Sequence, residues 1–98
     1  MTRRRIYARI YGRVQGVAFR HYTRKEALKY ALSGWVRNVR DGSVELQCEG
    51  YDEDVTLFLE WLNYGPPMAK VEHVDWREIS QEKEDVFVEL DFQVRATV

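Results

Sequence analysis

The residues best suited to chemistry form one stretch near the N-terminus, Gly12-Arg13-Val14-Gln15-Gly16-Val17-Ala18-Phe19-Arg20. It lies between an alternating apolar run and a run with helical spacing, so it predicts a tight turn that leads into a helix. Backbone N–H groups at such a turn, together with the helix dipole, favour an anion. The planar guanidinium of Arg20 suits phosphate or carboxylate. The stretch therefore predicts an anion cradle.

A second candidate residue is Asn38, in the apolar run Trp35-Val36-Arg37-Asn38-Val39. An amide is poorly fitted to such a run unless it has a partner. If the first two strands flank the same helix, Asn38 can approach the cradle. The alternative, which the pattern leaves open, is an asparagine that prepares the hairpin turn at residues 40–43.

Other kinds of site have little support in the sequence. The cradle stretch lacks the Gly-Lys-Ser/Thr ending of a nucleoside triphosphate loop, and no triple-glycine dinucleotide motif is present. His21 and His73 lie far apart, and neither has a cysteine or carboxylate at ligand spacing, so we expect no metal and no cofactor. Cys48 alternates with apolar residues in a predicted strand, which favours a small core residue over a nucleophile.

The elements that must position these residues follow from hydrophobic periodicity. Strands are predicted at about residues 6–11, 35–39, 44–49 and 71–79, and helices at about 20–30 and from an Asp52 cap to before Gly65. Irregular apolar spacing in 71–79 indicates a bulge or an edge position. A last strand is predicted from Val86, Val88, Leu90 and Phe92, with Phe87 as the alternative inward residue.

This order, β-α-β-β-α-β plus a C-terminal strand, predicts an α+β sandwich. We expect an antiparallel sheet of four strands plus a C-terminal fifth, with both helices packed on one face. The 98 residues are 45% hydrophobic, which suits a single globular domain spanning residues 1–98.

Charge and cysteine content restrict the partners and the compartment. The net charge of −1, from 15 basic and 16 acidic residues, argues against a general nucleic-acid or membrane-surface binder. There is no secretory signal and no membrane-spanning run, and a lone Cys48 suits a reducing compartment. We therefore expect a cytoplasmic monomer. The run Arg3-Arg4-Arg5 is expected to be a solvated, loosely ordered terminus, with a nucleic-acid arm as the alternative.

Two of these segments resemble a known family. The stretch Gly12–Arg20 is similar to the first signature of the acylphosphatases, and Gly34-Trp35-Val36-Arg37-Asn38, followed by Gly42, Val44 and Gly50, is similar to the second. The segment Gly65-Pro66-Pro67 with Ala69 and Val71 also resembles the family. The similarity covers about residues 6–90.

The resemblance implies a ferredoxin-like fold and hydrolysis of small acyl phosphates, such as carbamoyl phosphate or a glycolytic acyl phosphate. It implies that Arg20 binds the phosphoryl group and that Asn38 positions the attacking water. It also implies that the phosphoryl group rests on the backbone N–H groups of Gln15, Gly16, Val17, Ala18, Phe19 and Arg20. No metal is required if these groups neutralise the charge.

Two alternatives use the same fold. One is a non-enzymatic module, either an RNA-binding domain or a small-anion sensor. RNA recognition would need exposed aromatics in a characteristic strand pattern, which no strand here shows. The leading domain of a larger carbamoyl-transfer maturation protein is the other, and a free-standing chain is expected instead.

The sequence departs from many family members at Ala31, where they have glycine. If that position needs a positive φ, alanine should cost roughly 1 kcal/mol.

Overall fold

The computed structural model describes residues 2–79 and 91–98 of the chain. Its elements, in chain order, are β1 (Arg3–Arg13), α1 (Phe19–Lys29), β2 (Ser33–Asn38), β3 (Val44–Tyr51), α2 (Asp52–Leu62), β4 (Lys70–Glu78) and β5 (Phe92–Val94). The predicted β-α-β-β-α-β order is confirmed, and β1 is longer than its apolar alternation indicated. The predicted strand residues 86–90, and with them the register of Phe87, lie outside the described residues.

The strands form one sheet in the order β4-β1-β3-β2-β5. Three neighbouring pairs are antiparallel, as predicted, but β5 runs parallel to β2, with Gly34 opposite Phe92 and Val36 opposite Val94. The expectation of a wholly antiparallel sheet is therefore wrong at this edge. β4 and β5 lie at opposite ends of the strand order, so they do not form a hairpin with each other. β5 instead pairs with β2, and this pairing is parallel.

The fourth strand, β4, lies at one end of the described strand order and contains a bulge, as the irregular apolar spacing of residues 71–79 indicated. Tyr11 pairs with His73 and Gly12 pairs with Val71, so Glu72 is the extra residue of β4. Gly12 has a φ of 126°, and a Cβ at this position would collide with the carbonyl oxygen of Lys70. Only glycine therefore allows this close approach of β4, just before the chain leaves β1 for the cradle stretch.

The core lies between the helices and one face of the sheet. Each helix buries one side against the sheet, namely Phe19, Thr23 and Ala27 from α1 and Val55, Phe58, Leu59 and Leu62 from α2. Cys48 is fully buried among the inward residues of the sheet, which confirms the core assignment. Burial raises the pKa of its thiol, so the thiol stays neutral. Among the described helices, none has the length and apolarity needed to cross a membrane.

The N-terminal arginines are ordered rather than loose, so that expectation is wrong. Arg3 and Arg5 pair with Glu49 of β3 at 3.3 and 2.9 Å. Arg4 pairs with Glu78 of β4 at 2.6 Å and with Asp52 of α2 at 2.9 Å. Carboxylates on three neighbouring elements therefore hold the run in β1. Asp52 is the first residue of α2, and Tyr51 is its N-cap in place of the predicted Asp52.

Ala31 has a φ of 55°, which is the left-handed conformation considered above for this position, where many members of the resembling family have glycine. It follows the C-cap Tyr30, and the N–H groups of Ala31 and Leu32 donate to the carbonyls of Leu28 and Ala27 at 3.1 and 2.9 Å. These two bonds form a Schellman motif, in which this position is usually glycine.

We expect Ala31→Gly to raise the free energy of unfolding by about 0.5–1 kcal/mol. Glycine adopts the left-handed conformation with less strain than alanine, and this gain exceeds the cost of its greater freedom in the unfolded chain. Chemical denaturation monitored by tryptophan fluorescence measures the change. Ala27→Gly, inside the same helix and buried, serves as the control and should destabilise the protein. A lower stability for Ala31→Gly would contradict the proposed strain.

Candidate active site

A cleft of about 290 Å³ opens between the β1–α1 loop, the end of β2 and β5. It is lined by Val14, Gln15, Gly16, Ala18, Phe19, Arg20, His21, Arg24, Asn38 and Val94. The structure thus brings Arg20 and Asn38 to one cleft with most of the predicted loop. Val17 does not line it and is buried instead.

Alternating burial shapes the β1–α1 loop. Val14, Val17 and Phe19 point into the core, whereas Gly16 and Ala18 are exposed. Gly16 and Ala18 have φ values of 73° and 57°, so the backbone turns sharply at both positions. Apolar anchors on one side and left-handed residues on the other therefore hold the loop backbone against the cleft.

The backbone N–H groups of this loop are available to a ligand. The first backbone bond of α1 is donated by Tyr22 to the carbonyl of Ala18, at 3.1 Å. Across the described residues, none of the N–H groups from Gln15 to Arg20 donates to another backbone carbonyl. These groups and the positive end of α1 meet at the same place, which is the arrangement that favours an oxyanion.

The ionisable side chains that line the cleft are basic. Arg20, His21 and Arg24 contribute to its wall, and among the described residues no aspartate or glutamate does. Arg20 makes a long contact of 3.4 Å from Nη1 to the carbonyl of Arg95, whereas Arg24 Nε donates to the carbonyl of Phe92 at 2.8 Å. Arg24 is thus fixed by the C-terminal segment, while Arg20 is more available to an anion.

Asn38 is the last residue of β2 and pairs with Val44. Its side-chain oxygen Oδ1 is buried and accepts no hydrogen bond from the residues that the structure describes. A buried acceptor without a partner costs about 1–3 kcal/mol, so it is unusual outside sites that bind a ligand or water. Asn38 also lines the cleft, so its side chain borders the space that a bound molecule would occupy.

The hairpin turn after Asn38 is held by other groups. Val39 N–H donates to Ser43 O at 2.9 Å, and Gly42 N–H donates to Val39 O at 3.0 Å. Asp41 Oδ1 accepts from the backbone N–H and hydroxyl of Ser43 at 2.9 and 2.6 Å. These bonds and the nearby Arg9 lower the pKa of Asp41. Asp41, rather than the Oδ1 of Asn38, shapes this turn.

Sequence reasoning missed two contributors to the cleft. The side chain of Gln15 bonds to the β2–β3 hairpin, although the pattern assigned this residue a backbone role only. The segment from Phe92 to Val98 follows β2, and Val98 N–H donates to the carbonyl of Asn38 at 3.1 Å. The family resemblance did not extend beyond Phe92, and no local signal pointed to these long-range contacts.

No three histidine, cysteine, aspartate or glutamate side chains within residues 2–79 and 91–98 are grouped so that they could hold a metal ion. The described polar groups of the cleft include backbone N–H and guanidinium donors, the His21 ring and the amides of Gln15 and Asn38. Such a donor set suits an anion rather than a cation.

Comparison with known proteins agrees with this arrangement. The sequence model of the acylphosphatase family matches residues 6–93. The acylphosphatase of Thermococcus kodakarensis is 49% identical over 80 residues, covering 80% of this chain and 88% of that protein. That of Syntrophobacter fumaroxidans is 44% identical over 92 residues, covering 94% and 95%.

A solved structure shows the same fold. The acylphosphatase from Coxiella burnetii superimposes with a TM-score of 0.86 at 41% sequence identity, covering 95% of this chain and 93% of that one. The match therefore covers nearly the whole length of both chains. The chain belongs to the acylphosphatase family.

Proposed function

We propose that Arg20 and Asn38 are the two functional side chains in the hydrolysis of acyl phosphates, the activity of this family. The N–H groups of Gln15 to Arg20 hold the phosphoryl group, and the Arg20 guanidinium binds its remaining oxygens. The Asn38 amide holds the attacking water. The observation that supports this assignment best is the buried, unpartnered Oδ1 of Asn38 in the cleft that Arg20 also lines.

The main requirement of the reaction is to stabilise the negative charge on the oxygens of the phosphoryl group. Phosphoryl transfer requires stabilisation of the equatorial oxygens and an in-line nucleophile. The loop N–H groups are fixed before substrate binds, so they need little reorganisation in the transition state. Arg20 adds a full positive charge and two donors on one planar edge. Together these groups supply the required stabilisation.

Asn38 orients the nucleophile. Its Oδ1 accepts a hydrogen bond from one O–H of a water, which leaves a lone pair of the water oxygen free to attack phosphorus. An amide oxygen is too weak a base to take that proton, so the proton passes to an oxygen of the substrate phosphate. The new P–O bond forms as the bond from phosphorus to the carboxyl oxygen breaks, and the products are a carboxylate and inorganic phosphate.

The leaving group explains why so few side chains are enough. A carboxylate is stable at neutral pH because carboxyl pKa values lie near ~4, so no general acid is needed. A phosphate monoester instead expels an alkoxide, which does need a proton. The site should therefore discriminate between these two bond types, and small acyl phosphates are the proposed substrates.

We further propose a cytoplasmic monomer, since the lone Cys48 suits a reducing compartment.

Phosphate release from acetyl phosphate tests the activity and its metal independence. We expect turnover to be unchanged, within about 2-fold, after exhaustive treatment with a chelator, because Arg20 and the loop N–H groups supply the charge stabilisation. Glycerol phosphate, a monoester with an alkoxide leaving group, should release no phosphate above background. Loss of acetyl phosphate turnover on chelation would overturn the metal-free mechanism, and no turnover at all would overturn the function.

A further inference from the structure

The side chain of Gln15 joins the two halves of the site. Its Nε2 donates to the carbonyl of Val39 at 2.7 Å and to the carbonyl of Ser43 at 2.8 Å. Because both acceptors are carbonyl oxygens, which cannot donate, the amide must present its NH₂ group to them. Both N–H bonds of the amide are therefore used.

The two acceptors belong to the pair of residues next to Asn38 and Val44, on the side of the turn. Val39 follows Asn38 along the chain, and Ser43 precedes Val44, the residue that pairs with Asn38 across the β2–β3 ladder. Val39 N–H also donates to Ser43 O, so these two residues close the hairpin. Gln15 thus fixes the first residue of the proposed phosphate loop to the closing pair of the hairpin that carries Asn38.

We infer that Gln15 is a positioning residue, whose side chain sets the distance between the phosphoryl group and the water held by Asn38. This inference rests on the proposed function, because the loop is taken to hold the phosphoryl group. In-line attack requires the two to be placed together, and an error of about 1 Å can cost about 100-fold in rate. Among the described residues, Gln15 makes the only side-chain hydrogen bonds between the loop and the hairpin.

Hairpin stability alone is a competing explanation, and the structure offers a matched control for it. Arg9 holds the same hairpin through Ser43 Oγ at 3.0 Å and Asp41 Oδ2 at 2.7 Å. Arg9 does not line the cleft and makes no bond to the loop. Gln15 and Arg9 therefore each make two hydrogen bonds to the hairpin, but only Gln15 connects it with the loop.

Gln15→Met keeps the length of the side chain and removes both donors. We expect kcat for acetyl phosphate to fall about 10- to 50-fold, with KM within about 3-fold, because the loop N–H groups and Arg20 still bind substrate. In an Asn38→Ala background the same change should lower kcat by less than about 2-fold, since no positioned water remains. Arg9→Met should leave kcat within about 2-fold of the wild type.

The outcomes separate the possible explanations. Full wild-type activity in Gln15→Met, or an undiminished loss in the Asn38→Ala background, would overturn the positioning role while the proposed function stands. An equal loss of kcat in Arg9→Met would assign the effect to the hairpin as a whole and also overturn it. An inactive wild-type protein would overturn the proposed function, and with it the role of Gln15.

Discussion

Alanine in place of Arg20 is expected to lower kcat/KM for acetyl phosphate by at least about 10³-fold and to raise KM as well. The guanidinium would bind the phosphoryl group in the ground state and more tightly as charge develops on its oxygens. The loop N–H groups would remain, but the positive charge in direct contact with substrate would be lost. Steady-state kinetics over a range of substrate concentrations measure both effects.

The fold should tolerate this change. The one hydrogen bond of the Arg20 side chain within the described chain is the long 3.4 Å contact with the carbonyl of Arg95. Unfolding free energy should therefore change by no more than about 0.5 kcal/mol. Arg20→Lys keeps the charge without the paired donors and should recover only part of the activity. Lys25→Ala, at an exposed site on the same helix, is the control and should match the wild type.

An Arg20→Ala protein with near-normal kcat/KM would show that the loop N–H groups suffice, and the assignment of Arg20 would be wrong. A large loss of stability in the same variant would instead indicate a structural role. Measuring denaturation beside kinetics distinguishes these two results, because the proposed role predicts loss of activity without loss of fold.

Asn38→Ala should lower kcat by about 10²- to 10³-fold and leave KM within about 3-fold. The reason is that Asn38 is proposed to touch the water and not the phosphoryl group. The variant also removes a buried oxygen that has no hydrogen-bond partner among residues 2–79 and 91–98. Since such a group costs about 1–3 kcal/mol, the free energy of unfolding should stay the same or increase.

These opposite changes in activity and stability are the most direct test of Asn38. Asn63→Ala is a suitable control because Asn63 is exposed after α2 and its amide donates to the carbonyl of Leu59 in the same helix. It should keep full kcat and lose a little stability. A raised KM with unchanged kcat in Asn38→Ala would assign the residue to substrate binding, and an unchanged kcat with an unchanged KM would remove it from the site.

Much of the fold could be predicted because the signals are local. Alternation identifies β3, the buried stripes identify both helices, and the Asp41-Gly42 pair identifies the hairpin between β2 and β3. The positive φ of Ala31 was considered only as a condition, because many members of the family that the sequence resembles have glycine there. The parallel placement of β5 could not be predicted, because neither the direction nor the edge chosen by a three-residue strand is encoded in its own residues.

The site divides in the same way. The turn, the helix N-terminus and Arg20 lie within nine consecutive residues, so the sequence alone could indicate an anion cradle there. Asn38 was visible as a polar residue in an apolar strand, but its pattern allowed a turn role equally well. Its unpartnered oxygen in the cleft favours the site over the turn.

The sequence by itself therefore determined the elements, their order and the free N–H groups of the cradle, because each depends on residues within a few positions of one another. Tertiary structure alone decided that Arg3 and Arg5 bind Glu49 and that Gln15 holds the hairpin of Asn38. These contacts join residues 24 to 46 positions apart. A side chain's partner at that separation depends on strand order and register, which no local pattern specifies.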